Sequence, residues 1–143
     1  MPRMTITEIE ALMDKSFPDW RRFSRILALG DKDVTLEMPF RKELLRAGGT
    51  ISGPAMMALA DTAAYFVTLA HAGPVASAAT ANLDIAFLRR PKPAPIRAVA
   101  TLLRLGRRLS VARVDMLSDE DLVAHATVTY ALPPPAVEAV PAD

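Results

Sequence analysis

At 143 residues the chain falls within the usual size of one domain and can bury a real core without staples. It has no cysteine, which excludes disulfides, thiolate metal sites and a Cys nucleophile and fits a reducing compartment, so the cytoplasm is the expected location. Seventeen Lys and Arg against sixteen Asp and Glu leave a net charge of +1, so no global field draws the protein to nucleic acid or an anionic membrane, and neither is expected as a partner.

No apolar run precedes Thr5, so no signal peptide is expected. Ile6, Ile9, Leu12, Met13 and Phe17 recur at helical spacing, and either Thr5 with Glu8 or Thr7 with Glu10 is placed as a capping box. This predicts a short amphipathic helix over 5–17, ended at Pro18. Residues 25–29 and 34–38, on either side of Gly30-Asp31-Lys32-Asp33, predict a hairpin. A loop rich in charge and glycine follows, over 41–53. Pro54 then stands where a first helical residue belongs, since its missing N–H would be unpaired there anyway, and the helix is expected to run to Ala72 and stop at Gly73-Pro74. Residues 53–72 are long enough to cross a membrane, but Asp61 near the middle costs about 2.5–3.5 kcal/mol on insertion, and the alanines offer little apolar area against it. A helix buried in protein is expected instead.

The second half predicts strands at 79–88, 96–105, 109–117 and 122–131, close enough in sequence to pair antiparallel. In the first of them alternation sets Ala81, Leu83, Ile85 and Phe87 on one side and Thr80, Asn82 and Asp84 on the other. Residues 133–143 contain four prolines and no periodicity and are expected to be a disordered tail beyond a single domain over 1–132, whose residues 1–18 hold the N-terminal helix. The class is α+β. A helix apolar on nearly all sides needs cover from more than one direction. One curved sheet covers one side, so a second copy of the chain is expected on the other, in a dimer or a dimer of dimers.

Asp61 is the only charged residue between Pro54 and His71, with Met57, Ala58, Ala64 and Tyr65 three and four residues away. Such surroundings tune a carboxylate towards base or nucleophile work, and they equally suit a structural Asp bonded to a neighbouring loop. The Gly53 N–H lies at the helix start, where free amides favour negative charge; it is either an oxyanion donor or a plain helix entry. His71 and His125, far apart in sequence and without a third ligand, are read as structural, and no metal is expected. Arg89-Arg90-Pro91-Lys92 and Arg107-Arg108 are by themselves solvated turn charges. No G-x-S-x-G elbow is present. Met56, Met57, Tyr65, Phe66 and the loop 39–52 are expected to shape any substrate pocket.

Gly49-Thr50-Ile51-Ser52-Gly53-Pro54, then Ala58-Leu59-Ala60-Asp61-Thr62-Ala63, then Thr80-Ala81-Asn82-Leu83-Asp84-Ile85-Ala86-Phe87-Leu88-Arg89, and finally Gly106-Arg107-Arg108 together resemble the hotdog-fold thioesterases of the phenylacetate-pathway (PaaI-like) branch. The likeness covers roughly residues 20–131. It implies a curved antiparallel sheet wrapped around one long central helix, and hydrolysis of an acyl-CoA thioester. It implies Asp61 as general base or nucleophile, the Gly53 amide as oxyanion hole, and Thr80 as the residue that helps place the attacking water; Ser52, a departure from the family's histidine, still offers a hydrogen-bond donor there. Arg89, Arg107 and Arg108 would hold the CoA phosphates; CoA is part of the substrate and no further cofactor is implied. The family commonly has His-Gly-Gly where this chain has Ser52-Gly53-Pro54, and Asn or Gln where it has Arg46. The alternative reading is a non-catalytic hotdog protein that binds acyl-CoA or an acyl carrier. A hotdog dehydratase or hydratase ranks below both, because such enzymes use a histidine beside the acid.

Overall fold

The structure, a computed structural model, describes residues 1–134. From residue 135 onward the expected tail lies outside the described residues.

Helix α1 (Ile6–Ser16) starts on the capping box of Thr5 and Glu8: the Glu8 N–H donates to Thr5 Oγ1, and the Thr5 N–H to Glu8 Oε1. Ile9 and Met13 are its buried stripe. A second helix not foreseen from the sequence, α2 (Trp20–Phe23), is a single turn after Pro18. It is tied back to α1 because Trp20 Nε1 donates to Asp14 Oδ1 at 2.8 Å. With only four residues it has no periodicity to read.

Strands β1 (Arg25–Leu29) and β2 (Asp33–Met38) form the expected hairpin. After a 3₁₀ turn at Lys42–Leu44, helix α3 (Gly53–Ala72) runs unbroken for 20 residues. Then come β3 (Ala79–Phe87), β4 (Ile96–Leu105), β5 (Leu109–Ser118) and β6 (Asp121–Ala131), each within a residue of the expected span at either end. The strands make one antiparallel sheet in the order β1-β2-β4-β5-β6-β3, so β3 is an edge strand paired only with β6. This is the expected hotdog arrangement.

Small residues let α3 lie close against the sheet. Ala60, Ala63, Ala64 and Ala70 are fully buried on the helix, and Ala98, Ala100, Ala124 and Ala126 on the strands beneath it. Between them Leu59, Phe66 and Leu69 fill the remaining volume, also with no exposure. The apolar composition that imitates a membrane span is therefore that of a core helix. It stops at Gly73, whose φ of 100° lies in the left-handed region and whose N–H caps the Leu69 carbonyl at 3.0 Å.

One departure from the expected alternation positions the site. A bulge between Thr80 and Asn82 shifts the β3 register, so Thr80 stands opposite Tyr130 and Leu83 opposite Val128. Tyr130 and Val128 are buried, inward-facing residues of β6. Thr80 therefore shares the helix-facing side with Leu83, Ile85 and Phe87, not the outer side with Asn82 and Asp84. Strict period-two reading cannot see the extra residue, Ala81, that turns it inward.

Candidate active site

Helix α3 presents two features near its exposed end. At its start Ser52 is the N-cap, its Oγ accepting from the Ala55 N–H at 3.2 Å. Gly53 follows, and its N–H belongs to the first turn, where no intrahelical acceptor exists. A Cβ at Gly53 would sit 3.5 Å from Phe87 Cζ, an ordinary contact. Glycine is also the residue best able to turn helical immediately before a proline, because the Cβ clash with the pyrrolidine ring is absent. Around this amide lies a cavity of about 510 Å³ whose lining includes Arg46, Gly53, Met56, Phe87, Arg89 and Arg90. Arg46 reaches this wall from a small closed loop: Leu45 bridges Ile51, and Gly48 and Gly49 carry φ of 98° and 76°. The position where the family has an amide side chain thus does face the Gly53 end of the helix, with a guanidinium in its place.

Two turns along, Asp61 is half-buried and held by two hydroxyls. Thr80 Oγ1 donates to Asp61 Oδ1 at 2.6 Å. Tyr130 Oη lies 2.8 Å from the same Oδ1 and 3.0 Å from the Asp61 carbonyl oxygen. Burial first, and the adjacent Asp61 carboxylate after it, push the Tyr130 phenol far above its ordinary value, so it stays protonated and donates. Asp61 Oδ2 has no hydrogen-bond partner among the described residues. Asp61, Thr80 and Tyr130 share a second cavity of about 430 Å³, walled by Met13, Phe17 and Trp20. Phe17 meets the Tyr65 ring edge-on at 5.9 Å, and Tyr65 leans on Tyr130 at 5.6 Å.

The sequence brings Asp61 and Thr80 together as the resemblance implies, but it does not reveal Tyr130 or the aromatic wall from α1 and α2. Tyr130's one signal is a phenol at an inward position of an otherwise apolar strand, a group that needs a partner when buried. The expected pocket residues divide. Tyr65 lines the Asp61 cavity and Met56 the Gly53 cavity, while Phe66 is fully buried core and Met57 is on the surface. The arginines divide too. Arg89 follows the end of β3 and lines the Gly53 cavity. Arg107 and Arg108 occupy the β4–β5 turn, which the register of Leu109 and Ala79 with Ala131 places at the other end of β3, roughly 25–30 Å away. They line neither cavity.

Both histidines are engaged in the framework. His71 Nδ1 lies 2.9 Å from the Val67 carbonyl and Nε2 2.6 Å from that of Asp31, tying the end of α3 to the β1–β2 turn. His125 Nδ1 is 2.6 Å from Asp115 Oδ1, on the neighbouring strand β5. Among the described residues no group of three His, Asp or Glu side chains is placed to hold a metal ion.

The thioesterase superfamily model matches residues 48–131, the segment that contains Gly53, Asp61, Thr80 and Tyr130. A solved structure from Silicibacter sp. TM1040, described as a "putative thioesterase", is 34% identical, covers 94% of this chain and 95% of its own, and superposes with a TM-score of 0.85. A mutant of the phenylacetic acid degradation protein PaaI from Thermus thermophilus is 25% identical, over 80% of this chain and 97% of its own, with a TM-score of 0.71. A Thermoplasma volcanium protein described as a "putative esterase" is 24% identical over 92 residues, 64% of this chain and 68% of its own length. The family match over most of the chain and the 34% relative along nearly its whole length agree: the chain belongs to the thioesterase superfamily.

Proposed function

We propose that the protein is an acyl-CoA thioesterase whose active site is completed between two copies of the chain. The observation that carries this reading is the division of chemistry along α3. The oxyanion donor and the cations surround Gly53, whereas the carboxylate and the apolar wall surround Asp61. The two residues are eight positions apart, about 12 Å along the helix axis, too far for one thioester carbonyl to touch both within one chain. Two α3 helices packed antiparallel about a two-fold axis would set Gly53 of one protomer beside Asp61 of its partner. The open edge of β3 and the exposed Pro54, Met57 and Ala58 on α3 offer a surface for that pairing.

In this site the acyl group lies against Phe17, Trp20, Tyr65 and Tyr130, and the CoA arm leaves past Arg89 and Arg90. A water bonded to Asp61 gives up a proton to the carboxylate as its oxygen adds to the carbonyl carbon. The negative charge that forms on the carbonyl oxygen is met by the Gly53 N–H at the positive end of α3. Collapse breaks the C–S bond, and the thiolate takes up a proton to leave as CoA. Asp61 attacking directly is the variant of the same chemistry, with water then hydrolysing the mixed anhydride. Thr80 assists by placing water, and Ser52 by capping the start of the helix at the hole. Arg107 and Arg108 of the partner stand at the β3 end that faces the first protomer's Arg89 in such a dimer, where they would add phosphate contacts. No cofactor is needed for any of these steps, and cytoplasmic acyl-CoA is the substrate pool we assign.

The test is incubation with a panel of acyl-CoAs, following free thiol. Release with turnover supports hydrolysis. Saturable binding without release would favour the non-catalytic binding module, for which the Arg46 and Ser52 substitutions would be the cause.

A further inference from the structure

We propose that Tyr130 is a positioning residue for the Asp61 carboxylate, selecting Oδ2 as the oxygen that does the chemistry. The inference rests on the reading of Asp61 as base or nucleophile and adds a residue to it.

Asp61 is anchored from three directions. Its backbone is fixed in α3, and Oδ1 receives both the Thr80 hydroxyl and the Tyr130 phenol. Two donors on one oxygen restrain the carboxylate of a residue that lines the shared cavity, and leave Oδ2 without a partner among the described residues. Thr80 donates from β3, next to the register shift between Thr80 and Asn82. Tyr130 comes from β6, an interior strand, and is 5% exposed. Its proton is shared between Oδ1 and the Asp61 carbonyl oxygen, so it grips side chain and main chain of one residue together. The Tyr65 ring packs against the Tyr130 ring at a tilt of 32°, 5.6 Å between centroids, and adds to the fixing of the phenol. A buried phenol that remains protonated presents its hydrogen to the Asp61 oxygens, as an orienting group and not a second base.

Tyr130→Phe keeps the ring and deletes the donor. With folded protein isolated by gel filtration, kcat should fall about 10- to 100-fold with KM for the acyl-CoA nearly unchanged, the cost of a misaligned reacting group. The discriminating experiment is the double variant. In an Asp61→Asn background, Tyr130→Phe should leave the residual rate unchanged, because there is no longer a carboxylate to orient. 3-Fluorotyrosine at position 130, which retains the hydroxyl, should restore kcat and serves as the folded control if the phenylalanine variant is unstable. A Tyr130→Phe rate equal to the parent's overturns the proposal, and so does an equal fractional loss in both backgrounds, the mark of a merely structural residue. Parent-level hydrolysis by Asp61→Asn would instead overturn the reading of Asp61 itself, so the two failures are told apart.

Discussion

Complementation between two inactive variants tests the shared site quantitatively. Gly53→Val adds a branched side chain beside Phe87 and before a proline, to block the proposed hole; Asp61→Asn removes the carboxylate. Each homodimer then has two broken sites. In a heterodimer one site combines both lesions, while the other joins the intact Gly53 of the Asp61→Asn chain to the intact Asp61 of the Gly53→Val chain. Random pairing of equal amounts makes half the dimers mixed, so about one quarter of the parent activity per chain should return. The assay is thiol release after co-refolding or prolonged mixing, with heterodimer content measured by mass spectrometry using a tagged subunit. A site contained within one chain gives no recovery at any degree of mixing. Verified heterodimers without activity would therefore refute the geometry built on the 12 Å separation, taken as about 1.5 Å per helical residue.

Further outcomes follow from the arginines and the tyrosines. Replacing Arg107 and Arg108 together with Ala should raise KM for full CoA esters and weaken its salt dependence, with little change in kcat; an unchanged KM removes these residues from phosphate binding. Burial raises the Tyr130 and Tyr65 phenols in the folded protein above their unfolded values. The native state then keeps protons that the unfolded chain releases. This contribution is complete below about pH 10 and falls as pH rises further, by up to about 1.4 kcal/mol per pH unit for each such group. Urea melts from pH 9 to 11 should show a shallower alkaline loss for Tyr130→Phe than for the parent, and parallel losses would contradict the assignment.

The order of elements was legible in the sequence because each carries its own local signal. Thr5 and Glu8 announce α1, Pro54 and Gly73 bracket α3, and Gly30 to Asp33 mark the turn of the first hairpin. Asp61 stood out for the same reason, as one charge on an apolar helix. The features that make a site of it are non-local. Thr80 reaches Asp61 through a bulge that alternation reads the wrong way, and Tyr130 is 69 residues distant. The aromatic wall comes from Phe17 and Trp20, in a segment whose spacing marks Phe17 only as the tail of a helix stripe. The separation of Arg89 from Arg107 and Arg108 depends on strand order, since nothing local tells that β3 pairs with β6 at the edge of the sheet.

That Asp61 performs the hydrolysis is tested most directly by kcat and melting temperature measured on one preparation of Asp61→Asn. The substitution keeps size and can still accept from Thr80 and Tyr130 through its amide oxygen, while losing the charge. If Asp61 activates water or attacks the thioester, kcat falls by about 10²- to 10⁴-fold and the folded oligomer persists. A stable Asp61→Asn protein that releases CoA at the parent rate would contradict it.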